Sequence, residues 1–184
     1  MRVHDIDWGS WRARDPATLV FVVKDSSVLL IRKKRGLGAG KINAPGGRIE
    51  PGETPLEAAI RETREEVCIT PMDLTYAGVN LFQFVDGYSI HVHVFKARDF
   101  EGEPKETDEA APLWAPVDRI PYEEMWEDDR LWIPLLLEDV RFSGRYVFDG
   151  EVMLDHELDL DSRKDQRPTF VEWRGRRRSR FRRR

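Results

Sequence analysis

The chain has 184 residues, with 40% hydrophobic and 35% charged side chains and a net charge of −4. That length suits one good hydrophobic core rather than two, and the composition is that of an ordinary globular protein. No apolar run is long enough to cross a bilayer. The opening MRVHDIDWGSWRARD lacks the apolar centre of a secretory signal, and the single cysteine, Cys68, excludes an internal disulfide. The expectation is a cytoplasmic protein that does not engage a membrane, and a monomer.

The net charge conceals an asymmetry. Residues 174–184, RGRRRSRFRRR, carry eight arginines and no acid, which leaves −12 on residues 1–173. An acidic body does not suit general nucleic-acid binding. The basic tail suits contact with a nucleic acid or an acidic partner through charge neutralisation; folding back on the acidic body, or simple solvation, are the alternatives.

In chain order, TLVFVV (18–23) and VLLIRKK (28–34) predict two strands joined by a short turn. The glycine-rich GLGAGKINAPGG (36–47) predicts a loop. A helix follows, with Thr54 as N-cap, Pro55 at its first position and Glu57 closing a capping box. Leu56, Ala59, Ile60, Thr63 and Val67 form its apolar stripe. Residues 74–84 and 88–97 flank a hairpin turn at Asp86-Gly87, and SIHVHVF alternates as a half-buried strand. Residues 98–112 read as an acidic loop and 113–117 as a short strand. Residues 121–139 read as a helix interrupted at Pro134. Strands at RYVF and EVMLDHEL complete the pattern. Strands, one helix, strands, one helix and strands indicate a mixed α/β domain without Rossmann alternation. The expected divisions are an N-terminal extension (1–17), the domain (18–161) and the basic tail (162–184).

The chemistry concentrates in RETREEV (61–67). At 100° per residue, Glu62 and Glu66 lie about 40° apart and Glu65 about 60° from Glu62. Glu57, Arg61 and Arg64 fall on the other flank. Like charges at i,i+4 cost a few tenths of a kcal/mol even when exposed. A solvated acidic face is one reading; hard divalent cations between the carboxylates are the other.

Gly47, Glu53, Arg61, Glu62, Glu65 and Glu66 stand in the spacing G-x5-E-x7-R-E-x2-E-E, closed by Ile69. This resembles the Nudix hydrolase signature. The resemblance implies an α/β/α sandwich with a mixed central sheet and cleavage of a diphosphate. It implies Mg²⁺, with Mn²⁺ as a substitute, held by Glu62, Glu65, Glu66, the Gly46 carbonyl and the distal Glu109. Arg61 would brace Glu53, and Glu53 or Glu109 would be the general base. Thr63 and Cys68 stand where the family has an apolar residue and a glycine; Cys68 is read as a buried structural thiol.

KKRGLGAGKINAPGG (33–47), IPYEEMWEDDRLWIPLLLED (120–139) and FSGRYVFDGEVMLDHEL (142–158) resemble the oxidised purine nucleoside triphosphate diphosphatases of that family, the 8-oxo-dGTPase type. The implied substrate is an oxidised purine (d)NTP such as 8-oxo-dGTP, whose removal keeps damaged precursors out of DNA. Trp126 offers a π-face for a purine. Asp128 and Asp129, if they share a partly dry pocket, cannot easily both ionise. One would then accept from a guanine edge while the other donates to it. The same resemblance puts Asn43 at the base edge, Phe82 in the pocket, and Thr18 and Lys33 near the nucleoside. Leu37 and Ala110 replace a family aromatic and a methionine, and both are expected to shrink the pocket wall. His91 and His93 read as packing or surface residues. Two rival functions stand beside this one: hydrolysis of dinucleotide polyphosphates or capped RNA, and non-catalytic nucleotide or RNA binding.

Overall fold

Helix α1, Pro55–Val67, shows how local signals build the molecule. The Thr54 hydroxyl accepts from the Glu57 backbone N–H at 3.2 Å, and the Glu57 carboxylate accepts from the Thr54 N–H at 2.8 Å. The helix ends at Cys68, whose φ of 63° is left-handed. That conformation normally selects glycine, which has no Cβ to clash there. Cys68 is exposed, so the reading of a buried thiol is corrected: the cap position turns the side chain outward. The apolar stripe is corrected too. Leu56 is exposed and Ile60 half-buried, whereas Ala58, Ala59, Thr63, Glu66 and Val67 are buried. Small side chains let the helix lie close to the sheet, and its rotation carries Glu66 inward.

The structure, a computed structural model, describes residues 1–161. The basic tail, and the nucleic-acid or acidic partner expected for it, lie outside the described residues. The strands are β1 (Asp15–Lys24), β2 (Ser27–Lys33), β3 (Ile42–Asn43), β4 (Ile69–Met72), β5 (Thr75–Phe84), β6 (Ser89–Ala97), β7 (Asp99–Gly102), β8 (Ala110–Pro116), β9 (Arg141–Asp149) and β10 (Val152–Asp161). Helix α2 spans Asp129–Leu137. One mixed sheet runs β10-β9-β5-β6-β1-β2-β3, with β8 also on β2; β4 and β7 pair separately. The pairs β1–β6 and β5–β9 are parallel. Asp25 and Ser26, with φ of 50° and 58°, make the tight β1–β2 turn.

Alternation sends the two faces of each strand into different cores. Phe21, Leu30, Val94, Tyr146 and Phe148 pack with Trp132, Ile133 and Leu136 of α2. Val20, Val22, Leu29 and Ile31 pack with Ala59 and Val67 of α1. The result is the expected α/β/α sandwich around a mixed sheet.

Several boundaries move. The expected acidic loop 98–112 contains β7 and the start of β8, because pairing with β4 and β2 supplies backbone partners that an acidic composition does not reveal. The second helix does not break at Pro134. The break comes earlier, between a 3-10 turn at Tyr122–Glu124 and α2, which puts Trp126 and Asp128 on an irregular segment. Strand β1 starts at Asp15, and the residues before it are docked. Val3 is buried and donates to the Asp155 carboxylate at 2.9 Å, and the Trp11 indole donates to Gln83 at 2.8 Å. His91 and His93 stack on each other with ring centroids 4.4 Å apart.

Replacing Cys68 by glycine should raise stability by about 1 kcal/mol, since the left-handed cap then carries no Cβ. The measurement is the urea midpoint at unchanged slope. A lower midpoint for Cys68→Gly would contradict the strain assigned to this cap.

Candidate active site

The site begins where the loop before α1 crosses β1. Thr18 donates its N–H to the Gly47 carbonyl at 2.8 Å, and Val20 donates to Pro45 at 2.9 Å. A Cβ on Gly46 would fall 2.1 Å from the Thr18 carbonyl oxygen, and one on Gly47 would fall 2.4 Å from the Glu62 carboxyl carbon. Only glycines let the loop, β1 and α1 meet so closely. The loop therefore lies directly against the acidic face of the helix.

Arg61 is the hub of that face. Its Nε and Nη2 donate to the two oxygens of Glu53 at 2.7 and 2.9 Å. Its Nη1 donates to Glu62 at 2.8 Å and to Glu65 at 3.0 Å, and Nη2 also reaches the Arg48 carbonyl at 3.0 Å. One guanidinium thus binds three carboxylates. The segregation of signs read from the helical wheel is corrected here: a long, planar side chain reaches across the flank that a wheel assigns to it.

The acids differ by solvation. Hydrogen bonds from Arg61 hold the Glu53 carboxyl below its ordinary range. Burial pushes Glu62 up despite Arg61. Burial pushes Glu66 up to about 7, against the pull of Lys33, while the charges of Glu62 and Glu109 add to the rise. Glu66 accepts the Gly46 N–H at 2.8 Å and lies 3.7 Å from the Lys33 ammonium. Glu65 remains exposed. Glu109 pairs with Arg35, on a turn fastened to α1 by the Thr107 hydroxyl, which donates to the Glu66 carbonyl at 2.8 Å.

A cleft of about 510 Å³ runs from these acids to α2. Gly46, Glu62, Glu66, Glu109, Lys33 and Thr18 line one part of it. Asn43, Phe82, Trp126, Asp128 and Asp129 line the rest. Glu53, Arg61 and Glu65 stand outside its lining and reach it through Glu62. Sequence reasoning missed Phe84, Phe148 and Trp132, which also line the cleft; the alternation in LFQF pairs Phe82 with Phe84 but does not say which face is the pocket. Ala110 is fully buried in the α1-side core, away from the cleft, so its expected effect on the pocket wall is corrected. Leu37 does line the cleft and is half exposed.

At the α2 end both aspartates are buried. Asp129 accepts the Trp126 N–H at 3.1 Å, and Asp128 accepts the Trp132 indole N–H at 2.8 Å. The second oxygen of Asp128 and the hydroxyl of Thr18 are buried without a hydrogen-bond partner among the described residues. Burial raises both carboxyls, and the Asp128 charge raises Asp129 further. Unpaired buried polar atoms each cost roughly 1–3 kcal/mol unless a ligand satisfies them. Trp126 meets Phe84 and Phe148 edge-on, and the Lys41 ammonium lies 5.3 Å from its ring centre.

The donors around α1 fit a hard divalent cation: several carboxylate oxygens, desolvated and mutually repelling, beside a backbone loop. Among the described residues, no three acid or imidazole side chains converge at metal-binding geometry. Arg61 and Lys33 carry the counter-charge instead.

Such a constellation, an α/β/α sandwich with a glycine loop over a Glu-rich helix, defines a scaffold for handling phosphoanhydrides. The chain matches the NUDIX domain over residues 13–136 and belongs to that family. It is 46% identical over 144 residues to the zebrafish (Danio rerio) oxidized purine nucleoside triphosphate hydrolase, covering 77% of this chain and 92% of that one. It is 40% identical over 148 residues to the mouse (Mus musculus) protein of the same name, covering 79% and 95%. A MutT protein from Bacillus halodurans superposes with a TM-score of 0.71 at 30% identity, over 79% of this chain and 97% of that one.

Glu66 gives a pH-dependent prediction. Its folded carboxyl binds a proton more tightly than it does in the unfolded chain, whose value is 4.5. Its contribution is therefore most favourable at low pH and is lost as pH rises through about 7. Without added metal, Glu66→Gln should raise stability at pH 8 by up to about 3 kcal/mol and change it little at pH 4. Urea unfolding at the two pH values checks this; an equal effect at both would show that burial of this charge is not the cause.

Proposed function

We propose that the protein hydrolyses oxidised purine nucleoside triphosphates, 8-oxo-dGTP among them, to the monophosphate and pyrophosphate, and so keeps damaged precursors out of DNA. The observation that carries this reading is one continuous cleft, which joins a buried aspartate pair beside an aromatic face to a desolvated glutamate cluster. The names of the zebrafish and mouse relatives support the substrate class.

In this reading the purine enters between Phe82 and Trp126. A base stacked on an aromatic ring gains about 1–3 kcal/mol. The ionised member of the Asp128–Asp129 pair accepts from the base edge, and the protonated member donates to it. Asn43 meets the same edge, and Thr18 and Lys33 stand between base and phosphates. Glu62, Glu65, Glu66, Glu109 and the Gly46 carbonyl are the groups that would hold Mg²⁺, or Mn²⁺ as its substitute. Bound there, divalent cations would supply positive charge against the polyphosphate and favour ionisation of the attacking water. Glu53 has both oxygens engaged by Arg61, which suits a bracing role. Glu109 faces the cleft and is the group we assign to take the proton of the attacking water.

The test is kcat/KM for paired oxidised and unoxidised (d)NTPs, with Mg²⁺ and with chelator. Oxidised purines should be preferred by tenfold or more, about the worth of one good bidentate base contact. Chelation should abolish turnover of every substrate. Asp129→Asn should lower kcat/KM for the oxidised guanine substrate by roughly 10- to 100-fold. Glu66→Gln should lower kcat for all substrates, on the order of 100-fold. Equal turnover of oxidised and unoxidised purines would overturn the assignment.

A further inference from the structure

The aromatic ring at the base end of the cleft is braced from behind by charges that the proposed reaction does not use. Trp126 lines the cleft and Lys41 does not, so the ammonium 5.3 Å from the ring centre covers the rear of the ring. That ammonium is itself held. Glu151, on the turn between β9 and β10, lies 3.0 Å from it. Glu151 is exposed and stands outside the lining of the cleft. The Lys41 side chain is only 22% exposed, so a long flexible chain that could extend into water is instead laid along the protein.

The loop that carries Lys41 is shaped for this approach. A Cβ on Gly38, whose φ is +76°, would fall 2.9 Å from the Trp126 indole nitrogen, so glycine lets the loop lie against the ring. Lys41 donates its N–H to the Gly38 carbonyl at 3.0 Å, and Gly40 donates to the Lys33 carbonyl at 2.8 Å, which ties the loop to the end of β2. Arg32 donates to the Gly40 carbonyl at 3.0 Å and, from its other terminal nitrogen, to Glu124 at 2.6 Å. Glu124 closes the 3-10 turn that leads into Trp126. The loop is therefore fastened to the segment that bears the ring, and Lys41 is delivered to the ring's rear.

We infer that Lys41 and Glu151 are positioning residues that act in series: Glu151, outside the cleft, holds the Lys41 ammonium against the rear face of Trp126, and that cation fixes the ring as the platform on which the base stacks. This deepens the proposed function and rests on it. A cation over an indole is drawn to the negative face of the ring. A lysine held only by that attraction keeps much of its rotamer freedom; a carboxylate beside the ammonium removes it. A ring already fixed gives up less freedom when a base stacks on it, so binding is stronger with no new contact to the base. The Lys41 charge also acts on Asp129, whose carboxyl is raised by burial and by Asp128. Replacing Glu151 leaves that charge in the protein and removes only the tether, so the two effects separate.

The experiment compares the full chain with Lys41→Met, Lys41→Arg and Glu151→Ala. Two readouts are taken. The first is the heteronuclear NOE of the Trp126 indole N–H, assigned by its loss in Trp126→Phe, which reports fast motion of the ring without any substrate. The second is KM and kcat for 8-oxo-dGTP, taken separately. Lys41→Met should lower the NOE and raise KM roughly fivefold with kcat unchanged. Glu151→Ala should do the same more weakly, with KM raised roughly two- to threefold. Lys41→Arg keeps the cation on the ring and should restore both readouts. An indole as rigid in Lys41→Met as in the parent overturns the inference. So does a loss that falls on kcat with KM unchanged, a Glu151→Ala variant that matches the parent in both readouts, or a Lys41→Arg variant that behaves as Lys41→Met. If the parent chain does not hydrolyse 8-oxo-dGTP, the proposed function fails, and the NOE alone still decides whether Lys41 and Glu151 fix the ring.

Discussion

The glutamate cluster depends on one contact: the Gly46–Gly47 backbone lying against the carboxylates of α1. A loop this close to β1 and to Glu62 leaves no room for a Cβ at either glycine. It removes water from Glu62 and Glu66, and it offers only one backbone N–H in return. Desolvated carboxylates at this spacing are unstable alone, because burial and mutual repulsion act in the same direction. Arg61 relieves the strain by gathering Glu53, Glu62 and Glu65 on one planar cation, and Lys33 attends Glu66. The helix is thus held poised between its own cations and any external one.

The sheet turns this local tension into a site. Because neighbouring strand residues face opposite sides, α1 and α2 grip the same strands from different faces. The cleft opens where β1 separates from β2 and the glycine loop fills the gap. Glutamates approach it from the α1 side, and aspartates and aromatic rings from the α2 side. Neither helix alone forms the cleft, and Phe84, Trp132 and Phe148 of the α2-side core form part of its wall.

Legibility followed the range of the interaction. The N-terminus of α1 is set by residues three apart, Thr54 and Glu57, so the sequence displays it fully. The glutamate spacing is equally local. The rotation of α1 is not: Leu56 is the larger apolar residue, yet the sheet receives Ala58, Ala59 and Thr63 because they let the backbones approach. Strands β7 and the start of β8 were hidden inside an acidic stretch, since their partners lie far along the chain. Lys41 was silent for the same reason. A lysine in a glycine-rich loop reads as solvent-facing until the fold sets it against Trp126.

The proposed reading gives the two acid groups opposite tasks under the same desolvation, and the difference lies in which cations accompany them. Burial raises Glu66 and Asp129 alike. RETREEV brings Arg61 among its glutamates, and Lys33 arrives from β2, so positive charge balances that end as the carboxylates ionise. In MWEDD the next basic residue, Arg130, is turned to Glu123. Lys41 lies over Trp126 and eases Asp129 only in part. In that reading the glutamates serve as charge and the aspartate pair retains a proton. In the proposed reading, one end of the cleft answers to phosphate and metal and the other to the donors and acceptors of a base, and one cleft serves both because their counter-ions differ.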